Sequence, residues 1–285
     1  MRPELHILQN GVPRSGNVWL YNQVRRCLVE AGVEVRQNVD SDPVALALRE
    51  RDLGVRHVAE VDFINIGTLK LFYSILDVYK WPIDDIDAYV ASTTQAASHS
   101  SWTTLSADIY RRFSHVLYVV RDPRDVALSL ARFAFTPFNL RMRPHGFDRP
   151  AQYLDHGLRE SIHAWVTHIQ SHLAYRPEYH GHVIFYERML SDPIGELRRI
   201  ADFLGLQLDD AALAGVAGAT NLPAMQNQQP NHTGKGGWGG WREQLSRPQK
   251  ALVEKLAGPL LAHLGYPVDA AEAESWTPEA LRLDA

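Results

Sequence analysis

A chain of 285 residues, 45% of them hydrophobic, can bury a sizeable core, and its formal net charge of −4 argues against a general nucleic-acid binder. The single cysteine, Cys27, excludes an internal disulfide and reads as a small core residue on the apolar side of the first helix. The opening Met-Arg-Pro-Glu-Leu-His has no leader pattern and no apolar run approaches ~18 residues, so the expectation is a soluble, cytoplasmic protein without membrane insertion.

Residues 5–8 read as a short buried strand, residues 11–16 as a tight turn, and Asn17–Glu30 as a helix. Gly11 and Gly16 have the spacing of the G-x-x-x-x-G half of a Walker loop, in which backbone N–H groups and a helix N-terminus hold an anion. A Walker loop continues with Lys and then Ser or Thr; here Asn17 and Val18 stand there, and Val18 cannot coordinate a metal. The cation lies inside the loop, at Arg14. Such a loop holds a phosphate without delivering Mg²⁺, which argues against ATP hydrolysis.

Further on, residues 33–39 are expected as a strand, 43–52 as a short helix and 67–78 as a helix. Residues 87–92 form a short apolar run, and 101–113 look helical. His115–Val120 is the clearest buried strand of the chain. A helix over 123–133 follows, with Asp122 as its N-cap and Pro123 at its first position. Residues 153–174 make a long amphipathic helix, 182–186 a strand, and 194–204 a helix ended by Gly205. Strands separated by helices predict an α/β fold, a central parallel sheet covered by helices on both faces. Residues 221–241 lack periodicity, and a loop that long is usually functional or mobile.

Three further stretches carry chemistry. In Tyr118-Val119-Val120-Arg121-Asp122-Pro123-Arg124-Asp125-Val126-Ala127-Leu128-Ser129, Arg121 sits at a strand's carboxyl end, where ligands gather, and Ser129 lies two turns into the next helix. Arg121 either grips a phosphate with its planar fork or pairs with Asp125. Tyr186-Glu187 ends the next strand, where Tyr186 either meets a base or fills the core. Gly234-Lys235-Gly236-Gly237-Trp238-Gly239-Gly240-Trp241-Arg242 offers glycines for close backbone approach, with Lys235 and Arg242 supplying charge.

In order, these four stretches resemble the cytosolic sulfotransferase family, whose donor is 3′-phosphoadenosine 5′-phosphosulfate (PAPS) and whose product is 3′-phosphoadenosine 5′-phosphate (PAP). Residues 12–19 resemble P-K-S-G-T-T-W, and 118–129 resemble Y-V-x-R-(N/D)-P-(K/R)-D-V-x-x-S. Tyr186-Glu187 with the downstream Asp192-Pro193 and Phe203-Leu204-Gly205 resembles the Y-E-(D/E) segment, and 235–242 resemble R-K-G-x-x-G-D-W-K. The resemblance implies one P-loop-NTPase-like domain over residues 1–285, no metal, and transfer of a sulfuryl group to a hydroxyl or amine. It implies that Pro13, Arg14, Ser15, Gly16, Asn17, Val18 and Trp19 hold the 5′-phosphosulfate, with Arg14 near the leaving oxygen. Arg121, Ser129, Lys235 and Gly236 then take the 3′-phosphate, and Trp19 and Tyr186 contact adenine. Thr220 matches the Thr of the T-S-F segment.

The departures bear on mechanism. The loop lysine is Arg14, which keeps the charge but is a poor proton donor. The family's base is the His of K-(T/S)-H-L-P; His99, twenty-two residues before Arg121, has the expected spacing but neither the Lys nor the Pro. A histidine, titrating ordinarily near ~6.5, suits removal of an acceptor's proton. Glu60 and Asp62 are the alternative bases. Gly234 stands where the family has Arg, and the dimerisation segment K-x-x-x-T-V-x-x-x-E has no good match after Trp241, so the sequence leaves the oligomeric state open. Phe133, Phe135, Phe138 and Tyr153 are expected to wall a small-molecule acceptor, with Phe63, Leu71, Phe72 and Trp81 as further candidates; Arg141, Arg143 and His145 could instead meet a carboxylate or sugar. Two other readings stay open: a nucleotide kinase with a divergent loop, and a non-catalytic PAP- or PAPS-binding protein.

Overall fold

The short apolar runs of the chain come together as one sheet. In the computed structural model, which describes residues 4–40, 43, 61–75, 79–228 and 236–283, strands β1 (Ile7–Gly11), β2 (Phe63–Ile66), β3 (Leu71–Ile75), β4 (Tyr79–Ile83), β5 (Gln95–Ser98), β6 (His115–Val120) and β7 (Gly181–Phe185) form a seven-stranded sheet in the order β4-β3-β2-β5-β1-β6-β7. The run β2-β5-β1-β6-β7 is parallel.

The sheet is mixed rather than parallel throughout, because β3 and β4 are antiparallel to their neighbours. The Gly67 N–H donates to the Lys70 carbonyl at 3.0 Å, closing a tight turn that sends the chain straight back. Residues 67–78, expected as a helix, therefore contain β3, with Leu71, Tyr73 and Ile75 in the core at the period of a strand. The apolar run over 71–76 also matches a helical face, so periodicity alone could not separate the two. At the sheet's edge, β4 carries Lys80 and Pro82, which discourage a further strand.

The helices are α1 (Asn17–Glu30), α2 (Ile86–Ser92), α3 (Ser106–Tyr110), α4 (Pro123–Ala134), α5 (Pro137–Met142), α6 (Pro150–Ala174), α7 (Tyr186–Ser191), α8 (Pro193–Phe203), α9 (Asp210–Ala219), α10 (Leu222–Gln228), α11 (Trp241–Gln244), α12 (Arg247–His263) and α13 (Glu272–Ser275). Residues 33–39 hold no strand, only a 3-10 turn over Asn38–Asp40. The helix expected at 43–52 lies outside the described residues except for Pro43. The helix expected at 101–113 shortens to α3, and α10 interrupts the stretch expected as loop after residue 221.

Alternation along β6 divides the core. Tyr118 and Val120 face a layer containing Trp165 of α6 and Val253 of α12, while Leu117 and Val119 face Leu20 and Val24 of α1 and Ile200 of α8. Asp122 caps α4 as its sequence position predicts, accepting from the Arg124 N–H at 2.9 Å. Its two oxygens also take the Arg124 guanidinium at 2.8 and 2.7 Å, and that cation stacks on Trp241 at 3.6 Å. The start of α4 is thereby fastened to α11. Because β1, β5, β6 and β7 are parallel, the loops that follow all four open at one edge of the sheet.

Candidate active site

The loop after β1 is bent hard. Ser15 N–H and Asn17 Nδ2 both donate to the Val12 carbonyl, at 3.2 and 3.0 Å. Asn17, standing where a Walker lysine would, thus turns back into the loop. Gly16 has φ 94°, and a Cβ there would lie 2.5 Å from Tyr186 Cδ2, so glycine alone fits. Gly16 is also the N-cap of α1 and offers no side chain, and no acidic residue stands in the first turn, which leaves the first-turn N–H groups suited to an anion.

Arg14 holds φ at 71°, a left-handed conformation that costs a residue with a Cβ about 1–2 kcal/mol. Arg14→Gly and Arg14→Ala lose the same side-chain contacts, so relief of the strain is expected to make Arg14→Gly melt about 2–4 °C above Arg14→Ala, with anion binding weakened in both; scanning calorimetry with a PAP titration checks this, and an Arg14→Gly that melts no higher than Arg14→Ala refutes the strain.

Cations converge on this loop. Arg14 Nε donates to Ser129 Oγ at 3.2 Å, and its guanidinium lies 4.6 Å over Phe133. Arg121, 7% exposed, donates to the carbonyls of Arg14 (2.9 Å) and Gly237 (3.2 Å) and stacks 4.1 Å over Tyr186. Its Nε is buried with no partner among the described residues. Pairing of Arg121 with Asp125 is not found: the Asp125 oxygens accept the N–H groups of Gly239 (2.6 Å) and Trp241 (3.2 Å). Arg132, one turn beyond Ser129 on α4, lines the same cavity. Its signal in the sequence was the i, i+3 spacing from Ser129. Burial, then the charge of Arg121, pushes Arg14 down to about 10 and lowers Arg132 as well. Cations held together in this way favour a multivalent anion among them.

His99 follows β5 at the same edge. Its Nδ1 lies 2.8 Å from the Gly11 carbonyl, which can only accept, so the neutral ring carries its proton on Nδ1 and Nε2 is its acceptor nitrogen. The ring stands edge-on to Phe63 at 5.0 Å. The backbone beside it is anchored from behind: His168 Nε2 reaches the His99 carbonyl at 3.3 Å, and Asn10 Nδ2 donates to the Ser100 carbonyl at 2.9 Å. Burial pushes His168 down to about 3 and its neighbour His172, 3.2 Å from Asn10 Nδ2, down to about 4, so both rings are neutral at physiological pH. Asp62 is fully buried, accepting from the Tyr73 hydroxyl (3.0 Å), the Thr93 hydroxyl (2.5 Å) and the Asn38 N–H (2.6 Å), and it does not line the cavity. Glu60 lies outside the described residues.

These groups line a cavity of about 700 Å³. Pro13, Arg14, Gly16, Asn17, Val18 and Trp19 form its floor with Arg121, Ser129, Tyr186 and Gly236. His99, Phe133 and Phe138 stand beside Phe63 and Phe72, so two of the four expected acceptor walls are there. Six expected residues are not. Ser15 is fully buried under the loop. Phe135 caps the end of α4, two residues past Phe133 and so on its opposite side, and joins Tyr153 and His145 in a separate aromatic cluster. Thr220 donates its hydroxyl to the Val216 carbonyl (2.8 Å), and only its own carbonyl serves the site, receiving Trp19 Nε1 at 2.6 Å. Trp81 packs on Tyr73, 4.9 Å between ring centres, and Leu71 fills the core. Lys235 lies outside the described residues. Residues that the sequence reading missed include Asn65, Lys80, Ser100, Asn139 and Met225, the first two on the unexpected strands β2 and β4.

Among the described residues, no group of three or more His, Cys, Asp or Glu is arranged to hold a metal ion. None of their helices is long and apolar enough to cross a membrane.

Known proteins share both sequence and fold with this chain. Rat sulfotransferase 2A2 is 27% identical over 183 residues, 56% of this chain and 63% of the relative. Rat sulfotransferase 2B1 is 30% identical over 121 residues, 41% of this chain and 34% of its own. The chain thus spans less than two thirds of the length of these curated relatives. In structure it resembles mouse sulfotransferase SULT7A1 complexed with PAP, with a TM-score of 0.58 at 18% identity over 91% of this chain and 84% of that one. It also resembles retinol dehydratase in a complex with retinol and PAP, with a TM-score of 0.58 at 17% identity over 94% and 84%. The family model described as the sulfotransferase domain matches residues 5–265, and the chain belongs to the sulfotransferase family.

Proposed function

We propose that this chain, as a single domain, transfers the sulfuryl group of PAPS to a hydroxyl or amine of a small-molecule acceptor. The observation that carries the reading is the gathering of Arg14, Arg121 and Arg132 about Ser129, over the uncapped N-terminus of α1. The depressed basicity of Arg14 and Arg132 and the partnerless buried Nε of Arg121 fit a ligand bearing phosphate at both ends, such as the PAP of the structural neighbours. Bound there, PAPS supplies an activated sulfuryl group whose transfer requires no metal ion. Arg14 and the first-turn N–H groups of α1 take its 5′ end, Arg121 and Ser129 its 3′-phosphate, and Trp19 and Tyr186, edge to face at 5.6 Å, its adenine.

In this reading His99 accepts the acceptor's proton at Nε2 while Nδ1 stays bonded to Gly11. Positive charge on the ring is then formed beside the developing anions of the donor site. Arg14 stabilises the leaving oxygen by charge rather than by proton donation. Phe63, Phe72 and Phe138 press on the acceptor's apolar body, and Lys80 and Arg143 at the same cavity suit one that also carries a polar or anionic group. Androsterone and retinol, found with PAP in retinol dehydratase structures, are apolar alcohols of a suitable kind.

The test is turnover of PAPS against phenols, sterols, sugars and carboxylated alcohols, with PAP binding followed by calorimetry. Release of PAP matched by a sulfated acceptor supports the reading. Tight PAP binding with no transfer to any acceptor moves it to a non-catalytic binder. Mg²⁺-dependent ATP turnover moves it to a kinase.

A further inference from the structure

Asp125 has no place in the reaction just described, yet it is one of the most constrained carboxylates of the fold. It sits in the first turn of α4, 4% exposed, and both oxygens point at the backbone of the glycine-rich segment before α11. Oδ2 accepts the Gly239 N–H at 2.6 Å and Oδ1 the Trp241 N–H at 3.2 Å. Gly239 has φ 75° and Gly237 φ 84°, and residues 236–240 belong to neither a helix nor a strand. Two residues ahead of the grip, the Gly237 carbonyl receives Arg121 Nη2, and Gly236 lines the cavity.

We propose that Asp125 is a positioning residue that holds the 236–241 segment against Arg121, setting the arginine fork for the 3′-phosphate of the donor. The inference rests on the donor-site reading above. Among the described residues, the Arg121 guanidinium is otherwise held by the Arg14 carbonyl and the Tyr186 ring; releasing Gly237 frees one arm of it to turn away.

The groups that face Asp125 agree with this role. Asp122 lies one turn before it, Arg121 and Arg132 supply positive charge, Tyr186 and Glu187 approach from α7, and Arg242 lies across the small cleft from it. Burial and then Asp122 raise its carboxyl to about 6, against the opposing pull of Arg121 and the two N–H groups. Above that pH both oxygens accept. Below it, one becomes an O–H donor and can no longer serve the N–H it faces.

The test compares affinities for PAP and for adenosine 5′-phosphosulfate, which lacks the 3′-phosphate. Asp125→Asn, which keeps the shape but offers one acceptor oxygen, is expected to weaken PAP about 10–30-fold and adenosine 5′-phosphosulfate less than about threefold. Equal losses overturn the proposal, since a merely structural role does not select for the 3′-phosphate. Unchanged PAP affinity in Asp125→Asn, with Arg121→Ala still losing it, overturns the proposal and leaves the donor site standing; no loss in Arg121→Ala overturns the donor-site reading itself. Amide exchange in the wild-type protein needs no variant to fold: protection at Gly239 and Trp241 that falls below about pH 6 supports the grip, and absence of protection at any pH overturns it.

Discussion

Arg121→Ala is expected to weaken PAP binding by about 10²–10³-fold while shifting the affinity for adenosine 5′-phosphosulfate far less. A charge-assisted hydrogen bond contributes about 1.5–3 kcal/mol, and an arginine fork can supply two to one phosphate. Arg14 and Arg132 stay in place and keep part of the attraction, so the lower half of the resulting range applies. Arg121→Lys keeps the charge but cannot reach the Arg14 carbonyl, the Gly237 carbonyl and a phosphate together, so it should recover only a part. Ser129→Ala removes one neutral donor and the acceptor of Arg14 Nε, and its loss should be about tenfold and again selective for PAP. Calorimetric titration of both nucleotides decides. Equal losses for the two would place Arg121 at the 5′ end or in the scaffold.

Selectivity is expected because Arg121, beyond its bond to the Arg14 carbonyl in the loop that follows β1, is held by distant parts of the chain. Its neighbours are Tyr186 beneath it and Gly237 beside it, both brought in by segments more than sixty residues downstream. The N-terminus of α1, proposed for the 5′ end of the donor, is instead shaped locally, by Val12 accepting from Ser15 and Asn17. In the proposed arrangement the two ends of the donor meet groups that depend largely on different parts of the fold, so damage at one should spare most of the other.

The residues that a reader could find in advance are those whose chemistry is local. Asp122 with Pro123 announces a helix start, and Asn17–Glu30 and His115–Val120 fall on the residues their patterns mark. The left-handed Arg14 and Gly16 follow from a turn that must reverse within a few residues. What stayed hidden is long-range or weakly patterned. Strand β5, Gln95-Ala96-Ala97-Ser98, has no branched or aromatic residue and takes its shape from β1 and β2 on either side. The antiparallel return of β3 on β2, which β4 then extends, depends on a turn at Gly67 that composition does not announce. These omissions matter at the site, because β2 brings Asn65 and β4 brings Lys80 to the cavity. Thr220 misled for the opposite reason: it lies next to Trp19 at the site, but a hydroxyl at a helix end satisfies itself on the preceding turn. Asp125 was legible only as a possible partner of Arg121, whereas its oxygens serve a backbone more than a hundred residues away.

His99→Ala is expected to lower kcat by about 10²–10⁴-fold with PAP affinity nearly intact. In the proposed mechanism proton removal develops only as the acceptor attacks, after Arg14 and Arg121 have engaged the donor, so the loss should belong to kcat rather than to donor binding. The hydrogen bond from Nδ1 to Gly11 fixes which nitrogen receives the proton, and it also sets the sign of the pH dependence. Protonation of Nε2 removes the base, so turnover should fall on the acid side in the wild-type protein, and that limb should vanish in the variant. His99→Asn separates anchoring from chemistry: its amide can still donate to a carbonyl such as that of Gly11, yet it cannot carry a proton, and it should be as slow as His99→Ala. A phenol, already acidic, should lose less than an aliphatic alcohol in either variant. Near-normal turnover of an alcohol by His99→Ala would put the base elsewhere. Asp62 is then a poor substitute, sealed in the core by Tyr73, Thr93 and Asn38, and Glu60 becomes the first residue to replace.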